Sequence, residues 1–330
     1  MKRAKEKRSR LAGAKLQSSR LRPETYFVSV IVPTHDRHDL VGRAIRSVLC
    51  QTYRSWELII VNDGSTDRTA EVLSSYGDDP RIRVMHLDPA RGGAAARNVG
   101  LDLATGELIA FLDDDDVWLP TKLEKQVALL DSRSDVDIVS CNFLRVGDAS
   151  SSIVRIDGEY TAREIMAFNV LGSFSFCVVR RQAIGDIRID ERLRACQDWS
   201  LWLAILMQRE RRAVALREVL VEYDDTSKPC LTKNWRRATR SYVLFLQRHW
   251  RFMPREVRAY HLARLRLRRL VLGGQVGVRY ALGKLAIDVW MASQSARVRN
   301  VRRYFVTTIL YARETLRKRR RLGRGRSFPK

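Results

Sequence analysis

Short apolar runs alternate with helical stripes from residue 26 to residue 143, and that alternation leaves few folds open. "YFVSVIVP" (26–33) reads as a buried strand ended by Pro33. In "DLVGRAIRSVLCQ" (39–51), Leu40, Val41, Ala44, Ile45, Val48 and Leu49 share one helical stripe. "WELIIVNDGS" (56–65) is a second strand running into a turn, and Thr66 and Asp67 are candidate caps for a helix "RTAEVLSSY". "RIRVMHL" (81–87) is a third strand, and "GGAAARNVGLDLA" (92–104) a helix after a glycine turn. "ELIAFLD" (107–113) is a fourth strand, "PTKLEKQVALLD" (120–131) a helix opening on Pro120, and "VDIVSCNF" (136–143) a fifth strand. Such alternation predicts an α/β fold, a mostly parallel sheet with helices on both faces. Ligands of such sheets sit in the crevice at the carboxyl ends of the strands. Thr34–Asp36, Asn62–Ser65 and Asp113–Asp116 all fall there.

Beyond residue 143 the pattern loosens into short strands ("SFSFCVVR", "VALREVLVEYD") and a helix "DWSLWLAILMQ" (198–208). From about residue 235 the chain reads as helical and rich in Arg, Leu and Val, with Gly273, Gly274 and Gly277 as breaks. Charge divides it more sharply. Residues 1–22 hold nine Lys/Arg and one acid, and are expected to be a disordered basic tail. Residues 23–227, a mildly acidic middle, hold 24 Lys/Arg and 33 acids. Residues 228–330, a basic helical region, hold 28 Lys/Arg and three acids. Basic blocks of this size call for anionic partners: lipid headgroups, nucleic acid or phosphorylated ligands. The five cysteines are scattered, odd in number and without metal-site spacing, as expected of reduced thiols in the cytoplasm. The N-terminus is too basic for a signal peptide. No run of ~18–20 residues is apolar enough to span a bilayer. In "LVLGGQVGVRYALGKLAIDVWMA" the run is interrupted by Arg279, Lys284 and Asp288.

Chemistry concentrates in "LIAFLDDDDVWLP", where four acids, Asp113 to Asp116, follow an apolar strand. In extended chain residues two apart point the same way, so Asp113 and Asp115 can face one site. One or two carboxylates with phosphate oxygens suit Mg2+ or Mn2+; the alternative is a solvated acidic loop capping the next helix. Asp63 in "VNDGS" can accept hydrogen bonds from a base or ribose, or can simply organise a turn. "RGGAAARN" lets backbone approach a ligand, with Arg97 beside a phosphate or base, or packs a helix tightly on the sheet. Trp199 and Trp202 suit an acceptor pocket or a core.

Together "SVIVPTHDR", "AIRSVLCQTY", "ELIIVNDGSTD", "GGAAARNVGLDLATGELIAFLDDDDVWLPTKLEKQ" and "CQDWSLWL" resemble a family 2 glycosyltransferase, in order and spacing, over about residues 26–225. The resemblance implies a GT-A fold and transfer, with inversion, from a nucleotide diphosphate sugar, UDP-sugar first and GDP- or dTDP-sugar as alternatives. It places Thr34 and Asp36 near the nucleoside, Asp63 at the base or ribose, and Arg97, Asp113 and Asp114 along the nucleotide sugar. Asp113 and Asp115 match the DxD element, with Asp115 the direct ligand of Mn2+ or Mg2+ and Asp116 an extra acid. Asp198 matches the second acid of a Glu-Asp-Trp motif, the catalytic base, followed by Trp199. Here Gln197 replaces the first acid. The implied acceptor is a hydroxyl of a glycan or lipid-linked glycan, in cell-surface polysaccharide synthesis.

The basic C-terminal third mixes Leu and Arg, as in "YHLARLRLRRLVLGG", in a way that suits an anionic membrane surface. The expected location is cytoplasmic, peripheral on the inner face. A nucleic-acid-binding protein is the rival reading of the same charge, but the chain has no helix-turn-helix, zinc finger or aromatic RNA motif. A nucleotidyltransferase would want a glycine-rich phosphate loop where this chain has "PTHDRHDL". A catalytically dead relative is opposed by Asp63, Asp113, Asp115 and Asp198, and favoured only by Gln197.

Overall fold

The computed structural model describes residues 26–147, 150–208, 211–226 and 235–272. The basic tail, Cys230, the glycine breaks after 272 and the terminal basic run lie outside these residues. The described residues form two compact units: 26–191 with 197–226, and 192–196 with 235–272.

The first unit is built on one sheet. Its strands are β1 (Val28–Thr34), β2 (Trp56–Asp63), β3 (Ile82–Leu87), β4 (Leu108–Phe111), β5 (Val117–Trp118), β6 (Ile138–Val146), β7 (Ser151–Val154), β8 (Gly158–Tyr160), β9 (Val178–Arg180) and β10 (Ala213–Asp224). They lie in the order β3-β2-β1-β4-β9-β6-β10-β5, with β7 on β6 and β8 on β10. The quartet β3-β2-β1-β4 is parallel throughout, as the alternation predicts. β9 then enters antiparallel between β4 and β6, and β10 returns parallel to β6, so the sheet is mixed. The reversal is local, because β9 is only three residues long and follows directly on a tight 3-10 turn, Phe174–Phe176.

β1 and β2 are buried at every position, as expected of strands covered on both faces. Pro33 sits in β1 at little cost. Ile31 shows that this side of the strand faces β4, since its carbonyl accepts the Leu112 amide. The β4 pairing ends at Phe111 opposite Ile31, so two residues further on a missing amide costs no ladder bond.

The helices of this unit are α1 (Val41–Leu49), α2 (Thr69–Ser74), α3 (Gly93–Leu103), α4 (Lys122–Ser132), α5 (Ala162–Ile165), α6 (Arg181–Ile184) and α7 (Gln197–Leu206). The N-cap of α2 falls on Arg68, which makes no side-chain cap bond, so neither Thr66 nor Asp67 is the cap; Asp67 Oδ1 instead accepts the Thr69 amide at 2.9 Å just before the first turn. α3 owes its place to small side chains. Ala94, Ala95 and Ala96 are buried, and Gly100 lies so close to β1 that a Cβ there would stand 2.3 Å from Ile31 Cγ2. The second unit contains α8 (Trp235–His249) and α9 (Arg255–Leu272), with a 3-10 turn at Trp250–Phe252 between them. No described helix is long and apolar enough to cross a membrane.

On an exposed helix, glycine to alanine stabilises by about 1 kcal/mol. Here the added methyl must displace a buried β-branched side chain. Gly100→Ala is expected to destabilise the protein by about 1–3 kcal/mol, read as a lowered urea midpoint. A raised midpoint would mean that α3 and β1 are not in contact at this position.

Candidate active site

The carboxyl ends of β1, β2 and β4 open at one edge of the sheet, and the candidate residues gather along it. Thr34 closes β1 and is 3% exposed, its Oγ1 shut off from solvent. Asp36 follows with φ 50°, a conformation unusual for a non-glycine residue, and is held there by its neighbours. Its amide donates to Ser65 Oγ at 2.9 Å, and its Oδ1 accepts the Thr66 amide at 2.7 Å. The Thr66 amide first, and then the Asp67 amide at 3.3 Å from the same oxygen, lower its pKa. Asp63 is 4% exposed. Its Oδ1 and Oδ2 accept the amides of Arg91 and Gly92, each at 2.7 Å, and so pin the chain that leads into α3. Asp63 thus organises the loop, while each carboxylate oxygen retains a further lone pair.

The four consecutive acids point into different surroundings. The Asp113 amide donates to Ser175 Oγ at 3.0 Å; its Oδ1 accepts from Arg97 Nη2, and its Oδ2 from Ser173 Oγ at 3.0 Å. Asp114 is largely buried, with Arg37 Nε 3.8 Å from its Oδ1. Burial, and then the charge of Asp115, push its pKa up to about 7. Asp115 is half-buried. Asp116 is 1% exposed; its Oδ1 accepts the Asp224 amide at 3.1 Å, and burial raises its pKa well above the usual range.

Arg97 joins this run to α7. Its Nη1 donates to Gly93 O at 3.1 Å and to Gln197 Oε1 at 3.0 Å, and its guanidinium stands 4.4 Å over the Phe174 ring. Phe174 in turn packs 5.0 Å from Phe111 and 5.5 Å from Trp202, centroid to centroid. Asp198 follows Gln197 in the first turn of α7. Its Oδ1 accepts the Trp199 amide at 2.7 Å, and its Oδ2 the Asn169 side-chain amide at 3.1 Å. Burial pushes its pKa up to about 6; the Trp199 hydrogen bond opposes the rise and the charge of Asp113 adds to it. A carboxylate poised there is ionised at neutral pH yet more basic than an exposed one.

Trp199 and Trp202 are 4% and 0% exposed, and Trp199 Nε1 donates to Ile165 O at 2.6 Å. Both indoles are core. The residues that sequence reasoning left unread are Asn169, Ser173 and Ser175. Ser173 and Ser175 fall at a stretch read as a strand, "SFSFCVVR", which instead opens with the 3-10 turn Phe174–Phe176. Gly172, at φ 80°, turns the loop so that Ser173 and Ser175 meet Asp113. Its own Cβ would lie 2.4 Å from the Phe176 ring, so the turn is closed to larger residues.

The acidic run suits a divalent cation in one respect and limits it in another. Among the described residues, no group of three or more His, Cys, Asp or Glu is arranged to hold a metal. The protein therefore offers one or two carboxylates rather than a cage. That is the donor set of Mg2+ or Mn2+ when phosphate oxygens and waters complete the shell. Asp113 is engaged by Arg97 and Ser173, and Asp115 is half-buried beside it.

The chain is similar to known proteins in sequence and in fold. The model of glycosyl transferase family 2 matches residues 29–188. TuaG of Bacillus subtilis, a glycosyltransferase assigned to teichuronic acid biosynthesis, is 32% identical over 222 residues, 66% of this chain and 87% of that protein. WfgD of Escherichia coli, a UDP-Glc:alpha-D-GlcNAc-diphosphoundecaprenol beta-1,3-glucosyltransferase, is 29% identical over 209 residues, 58% of this chain and 74% of the relative. The mannosyltransferase PcManGT of Pyrobaculum calidifontis, solved with GDP-Man and Mn2+, superposes with a TM-score of 0.57 at 21% identity, over 87% of this chain and 85% of that one. The last likeness shows the GT-A fold. With the family match and the extent of the likeness to TuaG, it follows that the chain belongs to glycosyl transferase family 2 and is a glycosyltransferase.

Proposed function

We propose that the chain moves a sugar from a nucleotide diphosphate donor, a UDP-sugar first, to a hydroxyl of a glycan or lipid-linked glycan, with inversion, in cell-surface polysaccharide synthesis. The observation that carries this reading is the convergence of Asp113–Asp116, Arg97 and Asp198 at one sheet edge, linked through Gln197. The relatives add support of a different kind: one is named for a UDP-Glc donor and a diphosphoundecaprenol-linked acceptor, another for teichuronic acid. Such acceptors are offered at a membrane, and we place the enzyme on its cytoplasmic face.

In this reading the transferase domain is residues 23–227. Thr34, Asp36 and Asp63 line the nucleoside end of the donor, Arg97 stands beside the nucleotide, and Asp113 and Asp114 lie along the nucleotide sugar. Asp115, with Asp113, holds the divalent cation, Mn2+ or Mg2+; a bound cation neutralises charge on the departing nucleoside diphosphate. Asp198 takes the proton of the acceptor hydroxyl as that oxygen bonds to the anomeric carbon. The bond from the anomeric carbon to the diphosphate breaks on the opposite face, so configuration inverts and no enzyme nucleophile is needed. Asn169 and the Trp199 amide hold Asp198 at both oxygens, which keeps it oriented for that transfer. Gln197 supplies Arg97 with a neutral acceptor, leaving Asp198 the only carboxylate at that end of α7.

Two measurements test the reading. Calorimetry with UDP, GDP, dTDP and CDP should show Mn2+-dependent binding of UDP that Asp115→Ala abolishes. Failure of all four to bind folded protein would overturn it. For the base, the sign follows from its raised pKa: Asp198 works only when ionised, so kcat should fall as pH drops through about 6. Asp198→Asn should keep nucleotide binding and lose about 10²–10⁴-fold in kcat, followed as nucleoside diphosphate release. An Asn variant with wild-type kcat would remove Asp198 from the chemistry.

A further inference from the structure

The second unit has a settled inner side. Tyr242, Phe245, Leu246, His249, Met253 and His261 are buried, and the Tyr242 hydroxyl lies 2.5 Å from His261 Nδ1. The outer side of α9 is of another kind. Arg255, Ala259, Leu262, Arg266 and Arg269 are exposed and recur every three or four residues, which makes them one face of the helix. Phe252, in the turn that leads into this helix, is 46% exposed, and Leu262 is 48% exposed. Across the whole helix six arginines stand against one acid, Glu256. The outer row of α8 continues the theme with Arg236, Arg240 and Val243, all exposed.

We propose that the outer face of α9, with Phe252 at its entry, docks on the anionic surface of a lipid bilayer. Arginines meet headgroup phosphates while their aliphatic stems lie along the surface. Leu262 and Phe252 enter the boundary between headgroups and acyl chains, as the apolar face of an interfacial helix does. The helix lies on the membrane and does not cross it, in keeping with its charge. A nucleic acid would use the same arginines, but its phosphate contacts leave an exposed leucine and phenylalanine without a role. The proposal rests on the membrane placement above and is independent of donor and metal chemistry.

The test is co-sedimentation of the full chain, at physiological salt, with vesicles of phosphatidylcholine alone or in equal parts with phosphatidylglycerol. The protein should pellet with the anionic vesicles only. Because residues 228–330 carry 28 Lys/Arg, charge removal at single sites is a weak probe, and the apolar pair is the informative one. Phe252→Ser with Leu262→Ser should lower vesicle affinity about tenfold or more, while UDP binding is unchanged. Ile153→Ser, at an exposed apolar position of the other unit, should partition as wild type. Wild-type partitioning of the double variant, or no binding to anionic vesicles, would overturn the proposal. So would binding to duplex DNA as tight as to vesicles and indifferent to the double substitution. Failure of the wild-type chain to bind UDP while it pellets with anionic vesicles would instead count against the transferase reading alone.

Discussion

Four carboxylates at the end of a buried strand repel one another, and the repulsion is strong where water is scarce. The chain meets this by sending each acid to a different partner. Asp113 goes to Arg97 and Ser173, Asp114 lies toward Arg37, and Asp116 turns inward to the Asp224 amide. Burial then favours the protonated form of Asp114 and Asp116. Asp113 keeps a guanidinium as its counter-ion, and Asp115 stays half-buried. The strand that carries the acids therefore dictates the rest of the site. β10 must end where Asp224 can donate to Asp116, and the loop at 172–175 must fold back to supply two hydroxyls.

Arg97 is the hinge of that arrangement. A lysine could not replace it, since one guanidinium reaches Gly93 O, Gln197 Oε1 and Asp113 Oδ1 at once and lies flat on Phe174. Gln197 matters by being uncharged. A glutamate there would claim part of the guanidinium's charge and place a second anion next to Asp198. The amide leaves Arg97 to balance Asp113, and Asp113 is one of the charges that raises Asp198.

Legibility followed the range of the forces involved. β1, β2 and β4 were readable because burial on both faces leaves an unbroken apolar run, and α3 because glycine and alanine announce close packing. β9 was not readable as an antiparallel insertion: three residues carry no period, and their direction is set by the preceding turn. α7 hid its faces because it is apolar nearly all round, so Trp199 and Trp202 suited a pocket wall as well as a core. Asp113, Asp115 and Asp198 stood out through residue type and motif. Asn169, Ser173 and Ser175 did not, because common polar residues acquire meaning only when Gly172 turns them toward Asp113 and Asp198.

The uneven charge of the chain gives its two proposed anionic partners different physics. Residues 23–227 carry more acids than bases, so their net charge does not draw a nucleotide diphosphate from a distance. In the proposed reading, recognition there has to be short-ranged, through local cations such as Arg97 and Arg37. Residues 228–330 work the other way, with 28 bases against three acids spread over many positions. A diffuse field of that kind suits an extended anionic surface, but screening confines it to about 8–10 Å at physiological salt. Charge alone would then hold the protein near a membrane without orienting it. Exposed apolar side chains at fixed places on α9 are what can turn loose attraction into a defined pose.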